Sequence, residues 1–174
     1  MQDAVKTAII LTNEDANSCE LNCRDSLPKV LKELSETSIQ TIIISTFRKS
    51  DEIDNLISQI SGMDNKNVFT MKQGQDLGTG GSVKNILLSS QADNALIINL
   101  SAEAQIDYKS ILKEHYFSQK ENSRIIDSHG NHLHIYILSL EIFNLSHKDT
   151  FDLEKEILVK IGNEDIGEIL AVNE

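Results

Sequence analysis

The feature that most constrains this chain is a series of short, unbroken runs of β-branched apolar residues. Two of them, Ile42–Ile44 and Leu96–Ile98, show no alternation of apolar and polar positions. Unbroken apolar runs of this kind are typical of strands in a parallel sheet that helices cover on both faces. Similar runs at Thr7–Leu11 and Val68–Met71 are also followed by a polar loop and a helical pattern. The rhythm predicts βαβ units with right-handed crossovers.

Four amphipathic helices are predicted between and after these strands. The first is expected to begin near Asp25 or Ser26, with Pro28 in its first turn, where the missing N–H costs nothing. The others are expected to start at Ser50 or Asp51, after Gly81 and after Asp107.

The pattern changes after about Asn122. Turn-forming residues at Asp127–Asn131 separate two strand-like segments, which predicts an antiparallel hairpin. Helices at Glu141–Leu145 and Asp152–Ile161 and an edge strand at Gly167–Val172 are predicted to follow. The expected fold is one domain over residues 1–174, a three-layer α/β/α structure. Its sheet is mostly parallel and Rossmann-like, with the hairpin near the C-terminal half.

Composition limits the classes of partner. The chain has 16 Lys or Arg and 27 Asp or Glu residues, giving a formal charge of −11. Such an acidic chain is not expected to bind nucleic acid or an anionic membrane surface. No apolar run approaches the roughly 18 residues of a membrane span. The two cysteines, Cys19 and Cys23, are interpreted as ordinary thiols, and a cytoplasmic location is expected.

The sequence Gly78-Thr79-Gly80-Gly81 is the main candidate for ligand contact. It follows a strand and opens a helix, so bare backbone and free N–H groups there favour an anion. It matches neither the G-x-G-x-x-G nor the G-x-x-x-x-G-K-[ST] pattern. A tight strand-to-helix turn explains the three glycines equally well.

Metal binding has weaker candidates. Glu14 and Asp15 lie in the loop after the first strand. Two interpretations are open: they hold a divalent cation, or they belong to a solvated acidic loop. Three histidines, His129, His132 and His134, are a metal site or exposed polar residues of a hairpin. No G-x-S-x-G element or activated cysteine is present, so no catalytic nucleophile is predicted.

Taken in order, these segments resemble the sugar nucleotidyltransferase family and its GT-A-like fold, in particular the branch acting on mannose or heptose 1-phosphates. Lys6–Leu11 resembles the first strand and Leu27–Leu34 the helix after it. Asp76–Asn85 is similar to the L-G-T-[AG]-G element, and Phe151–Glu156 to an F-S-L-E-K-D stretch. The resemblance implies Mg²⁺-dependent transfer of a nucleotidyl group to a sugar 1-phosphate, with nucleotide contact at Gly78, Thr79, Gly80 and Gly81.

The chain departs from the family where the chemistry occurs. The resemblance implies a G-x-G-T-R loop after the first strand, but this chain has Asn13-Glu14-Asp15-Ala16 there. The metal-binding Asp of N-G-D falls on Ser101. Glu103 lies two residues further on. It is interpreted either as a substitute metal ligand or as a solvated acid of the loop. Acidic side chains repel a triphosphate, and a hydroxyl does not replace a carboxylate on Mg²⁺.

The sequence therefore predicts a degenerate, non-catalytic domain that acts as a binding, regulatory or assembly module and needs no cofactor. One alternative is an active enzyme that holds Mg²⁺ with Glu14, Asp15 or Glu103. Another is a purely structural oligomerisation subunit. Expected partners are a nucleotide or sugar phosphate, and either an active relative or a second copy, paired through the hairpin edge near His132–Leu138.

Overall fold

A computed structural model describes residues 4–12, 19–46, 51–60, 63, 65–73, 76–100, 106–162 and 165–171. For residues 19–25, 51, 52 and 56 it describes the backbone alone. The strands are β1 (Thr7–Leu11), β2 (Thr41–Thr46), β3 (Asn67–Lys72), β4 (Asn94–Asn99), β5 (Asn122–Ile126), β6 (His132–Ser139) and β7 (Ile166–Leu170). The helices are α1 (Cys19–Ser35), α2 (Asp51–Ser58), α3 (Gly78–Ser90) and α4 (Tyr108–Ser118), followed by a 3₁₀ helix (Leu140–Leu145) and a π-helix (Leu153–Leu158).

All seven strands form one sheet in the order β3-β2-β1-β4-β6-β5-β7. Strands β3, β2, β1 and β4 are parallel, β6 is antiparallel to both of its neighbours, and β7 is parallel to β5. This confirms the predicted mostly parallel α/β sheet with an antiparallel hairpin.

The sheet is buried on both faces, which explains the unbroken apolar runs. Neighbouring residues Ile9 and Ile10 are both fully buried but belong to cores on opposite faces. One core contains residues of α1 and α4, including Leu31 and Ile111. The other contains residues of α3 and of the C-terminal segment, including Phe151.

Helix α1 corrects the predicted start near Asp25 or Ser26. It begins at Cys19, so Pro28 lies inside the helix rather than in its first turn. A proline there removes one backbone hydrogen bond. The buried side chains Leu27 and Leu31, on either side of Pro28, offset that loss by packing on the sheet. Tertiary packing thus outweighs the local start signal.

The C-terminal part brings two further corrections. Because β6 lies between β4 and β5, it offers no free edge, so the predicted pairing of two copies through His132–Leu138 is wrong. Among the described strands, β3 and β7 lie at the two edges of the sheet, and β7 confirms the predicted edge strand. The helix expected at Asp152–Ile161 is the shorter π-helix, which Asp152 caps by accepting from the Lys155 amide at 2.9 Å.

Within the described residues, every helix is too short or too polar to cross a membrane.

Candidate functional site

Strands β1, β2 and β4 end at one edge of the sheet, where α3 begins. Ligands of parallel α/β folds bind at this carboxyl edge. The backbone here is fixed by buried polar contacts: the Thr12 hydroxyl donates to the Ser45 carbonyl at 2.8 Å, and Gln73 Nε2 donates to Ser45 Oγ at 3.1 Å. These contacts connect the carboxyl ends of β1, β2 and β3 at this edge.

The segment Gly78–Gly81, here called the glycine turn, forms the first turn of α3, so the helix begins at Gly78 and not after Gly81 as the sequence predicted. Gly78 has a φ of +68°, a left-handed conformation that glycine adopts without steric cost. Its amide donates to Asp76 Oδ1 at 2.9 Å. One amide of the glycine turn is thus already bound before any ligand arrives.

Two more amides of the glycine turn are bound by the C-terminal part of the chain. Gly80 N and Gly81 N donate to the carbonyl oxygen of Phe151 at 3.0 and 3.3 Å. In return, the Leu153 amide donates to Thr79 Oγ1 at 3.0 Å. Amides at a helix start normally lack partners within the helix. Here the chain itself supplies the acceptor that an anion would otherwise provide.

The glycines also permit a close backbone approach. A Cβ at Gly80 would lie 2.3 Å from the Phe151 ring, and one at Gly81 would lie 2.3 Å from the Asp149 carbonyl oxygen. A Cβ at Gly78 would lie 2.5 Å from the Phe151 carbonyl oxygen. Internal packing therefore requires these glycines. Nucleotide contact at Gly78, Thr79, Gly80 and Gly81 stays a prediction, and it depends on groups other than these three amides.

A polar group, here called the Glu154 cluster, consists of His134, Tyr136 and Glu154. The Tyr136 hydroxyl donates to Glu154 Oε1 at 2.7 Å, and His134 Nδ1 contacts the same oxygen. Tyr136 is buried, and this burial, reinforced by the hydrogen bond to Glu154, raises the pKa of its phenol. His134 and Glu154 are about half-exposed, so the cluster joins a buried hydroxyl to two solvent-accessible polar groups.

The backbone at His134 is unusual. Its φ is +54°, in the left-handed region that non-glycine residues seldom occupy. Arg124 pairs with Tyr136 and Ile126 with His132, so three residues of β6 face one residue of β5 between these pairs. Such bulges redirect side chains. His134 lies in this bulge and contacts Glu154 of the π-helix, which places the cluster at the end of β6 nearest the carboxyl end of β4.

Several predicted metal ligands lie outside the described residues, namely Glu14, Asp15 and Glu103, together with Ser101. The three hairpin histidines are described, and the structure does not bring them together as a metal site. Among all the described residues, no three His, Cys, Asp or Glu side chains form a group that could hold a metal ion. For Cys19 and Cys23 only the helical backbone of α1 is described.

Sequence reasoning missed the pairing of Tyr136 with Glu154. Glu154 lies in Phe151–Glu156, a segment that resembles the family, but it is separated from Tyr136 by 18 positions in the chain. The sequence offered one signal for this contact. Glu154 lies in a segment that follows a strand on which His134 and Tyr136 occupy alternate positions. The contact depends on the bulge and on the π-helix, which local patterns did not predict.

Comparison with solved structures decides the fold. The crystal structure of HddC from Yersinia pseudotuberculosis superposes with a TM-score of 0.74 at 20% identity, over 97% of this chain and 92% of that one. Its complex with GMP-PN gives the same TM-score and coverage at 19% identity. UDP-glucose pyrophosphorylase complexed with UDP-glucose gives 0.74 at 11% identity, over 98% and 92%.

The chain has a sugar-nucleotidyltransferase-like fold. This confirms the fold that the sequence resemblance implied. No protein-family model and no curated protein matches the chain. At 20% identity or less, the similarity establishes the sugar-nucleotidyltransferase-like architecture and leaves the activity to be tested.

Proposed function

We propose that this chain is a non-catalytic sugar-nucleotidyltransferase-like domain that acts as a binding, regulatory or assembly module. The observation that carries the proposal is the engagement of the glycine turn by its own chain. The Phe151 carbonyl oxygen accepts from both Gly80 N and Gly81 N. A phosphate bound by these amides would have to displace that carbonyl and the packing around it.

The sequence of the loop after β1 supports the same proposal. Residues 13–16 contain two acids and neither glycine nor arginine, and Ser101 stands where the resemblance implies a metal-binding Asp. Loss of one preorganised electrostatic contact costs a reaction about 3–4 kcal/mol of transition-state stabilisation. Several such losses at one site leave little catalysis of a phosphoryl-type transfer, which relies mainly on positioning and charge.

A bound ligand at the carboxyl edge would be a nucleotide or a sugar phosphate. The similar structures include HddC complexed with GMP-PN and UDP-glucose pyrophosphorylase complexed with UDP-glucose. Polar groups for ligand hydroxyls are available in the Glu154 cluster, where His134 and Glu154 are accessible. The protein partner that we expect is an active relative or a second copy, and no cofactor is required.

Calorimetry with nucleoside triphosphates and nucleotide sugars, with and without Mg²⁺, tests this function. A binding module is expected to bind its ligand equally well without Mg²⁺, because Ser101 stands where the resemblance implies the metal-binding Asp. Glu154→Gln should weaken binding, whereas Glu168→Gln, which breaks an ion pair with Arg124 instead, should not. Binding that requires Mg²⁺ and is lost in Glu14→Gln, Asp15→Asn or Glu103→Gln would contradict the proposal and support an active enzyme.

Thermal denaturation separates the remaining alternative. A binding module should gain stability with at least one nucleotide or sugar phosphate, since any ligand selective for the folded state stabilises it. A purely structural subunit would show no such gain and would form a stable dimer or hetero-complex at low concentration.

A further inference from the structure

A cavity, here called the α4 pocket, lies at the end of the sheet opposite the glycine turn. Its volume is about 380 Å³, within the range of small-molecule sites. Its walls come from α4, from the residues just before β1 and from the loop between α1 and β2. Because two of these walls precede parallel strands whose carboxyl ends form the edge at the glycine turn, the two sites are separate.

Much of the lining of the α4 pocket is apolar. It contains Tyr116 and Phe117, which are 57% and 67% exposed and pack edge to face with ring centroids 5.8 Å apart. Half-buried Leu112 and buried Val5 also belong to it. Aromatic side chains contribute large apolar contact areas when a ligand covers them. The pocket therefore favours a ligand with an apolar body.

Hydrogen bonds hold the walls of the α4 pocket in place before a ligand arrives. Lys66 Nζ donates to the carbonyl oxygens of Thr37 and Ile39 at 2.8 and 2.6 Å, which fixes the loop between α1 and β2. His115 Nδ1 lies 2.8 Å from Ser123 Oγ, and burial lowers the pKa of this imidazole to about 4. The histidine in the lining is therefore uncharged at neutral pH.

Two lysines give the α4 pocket positive charge in an otherwise acidic chain. Lys109 and Lys113 lie one turn apart on α4, and both are exposed members of the lining. Among the residues that the structure describes, neither ammonium forms an ion pair. The one carboxylate among the described lining residues is Glu36, on the loop between α1 and β2. The two ammonium groups are thus available to an anionic group that enters beside the rings.

This combination selects one class of anion. A nucleotide or a sugar phosphate carries many hydrogen-bonding groups, and burying such groups without partners is costly. Besides the charged side chains and His115, the described lining offers only the hydroxyl groups of Thr37, Ser38 and Tyr116. A ligand with a single carboxylate and an apolar body satisfies both the lysines and the rings.

We propose that the α4 pocket binds a small monocarboxylate with an apolar body. Its carboxylate pairs with Lys109 and Lys113, and its body packs on Tyr116 and Phe117. This site goes beyond the function proposed for the carboxyl edge and does not depend on it.

Calorimetric titration with octanoate at physiological ionic strength tests the proposal. We expect saturable binding of one octanoate per chain. Octanol has the same body without the charge and should bind about tenfold more weakly, since each exposed ion pair contributes up to about fivefold. Hydrocinnamate is titrated in parallel. Saturable binding of either carboxylate supports the proposal, and the tighter of the two shows whether the body is aliphatic or aromatic.

Variants separate the charged part of the site from its apolar part. Replacing both Lys109 and Lys113 by Gln should weaken octanoate binding by about tenfold and leave octanol binding unchanged. Replacing both Lys72 and Lys155 by Gln removes the same charge from exposed positions outside the pocket and should change either affinity by less than about twofold.

The aromatic part is tested by Tyr116→Ser combined with Phe117→Ser. This variant should weaken the binding of octanoate and octanol alike, and it should keep the thermal stability of the unliganded protein because both rings are exposed. Absence of saturable binding of both carboxylates up to millimolar concentrations would overturn the proposal. Equal affinities for octanoate and octanol, or equal losses in the two double lysine variants, would overturn it too, because the ammonium groups of the pocket would then not hold the ligand.

Discussion

The Gly80 amide donates to the Phe151 carbonyl oxygen at 3.0 Å, and the Phe151 ring occupies the space where a Gly80 side chain would lie. We therefore expect Gly80→Ala to destabilise the fold by about 1–3 kcal/mol, the usual cost of overpacking a core. This loss should appear although alanine favours a helix over glycine by about 1 kcal/mol. Urea denaturation measures it.

A double variant provides the control for this steric explanation. Phe151→Leu removes the ring that a Gly80 methyl group would meet. Gly80→Ala should then cost less in the Phe151→Leu background than in the wild-type chain, because contacting residues are coupled. Additive losses in the double variant would show that the ring is not the cause.

Tyr136 is expected to make stability depend on alkaline pH. Burial and the hydrogen bond to Glu154 raise the pKa of its phenol in the folded state, so above pH about 10 the unfolded chain loses this proton first. The stabilisation is present below that pH and is lost as the pH rises. Tyr136→Phe should cost about 1 kcal/mol at neutral pH and reduce the alkaline loss. Tyr116→Phe, at an exposed ring, should leave both quantities unchanged, and equal effects of the two variants would refute the assignment.

His115 is expected to make the stability of the fold depend on pH in the acidic range. Its ring nitrogen Nδ1 lies 2.8 Å from Ser123 Oγ, and burial lowers its pKa to about 4. The unfolded chain, with a histidine pKa of about 6.5, therefore binds a proton that the folded chain does not. Its contribution to stability should fall as the pH drops from about 6.5 to about 4. His115→Gln should reduce the change in the free energy of unfolding over this pH interval, whereas His132→Gln, at an exposed position, should not. Denaturant titrations at several pH values measure this change.

Asp107 caps α4. Its carboxylate accepts from Ser110 N at 3.0 Å and from Ser110 Oγ at 2.6 Å, and these bonds lower its pKa. Asp107→Ala should cost about 1 kcal/mol of stability at neutral pH. Asp107→Asn keeps an acceptor and should cost less. The benefit of the wild-type carboxylate should disappear as the pH falls below about 4, because protonation weakens the cap. A constant difference between wild type and Asp107→Ala down to pH 2 would contradict this.

Local patterns predicted much of this architecture. The runs containing Ile42–Ile44 and Leu96–Ile98 are buried parallel strands because their residues face helices on both sides, which a sequence expresses as missing alternation. The turn at Asp127–Asn131 joins the predicted hairpin because its residues suit a tight connection. The buried strands and the hairpin turn depend on residues that are neighbours in the sequence. Local sequence patterns are therefore sufficient to predict them.

The remaining features depend on distant contacts. Insertion of β6 between β4 and β5 removed the edge expected at His132–Leu138, and nothing local to that strand encodes its neighbours. The contact of Gly80 with Phe151 and that of Tyr136 with Glu154 join segments from separate parts of the chain. Sequence analysis identified the glycines as special but left packing and ligand contact as equal explanations.

Pyrophosphate release tests the central claim most directly. The protein is incubated with each nucleoside triphosphate, Mg²⁺ and a series of hexose and heptose 1-phosphates, and pyrophosphate is measured. We expect no release above the protein-free background, because the Gly80 and Gly81 amides are bound within the chain and the loop after β1 is acidic. Release that saturates with substrate and is abolished by Glu103→Ala would contradict the account and establish an active nucleotidyltransferase.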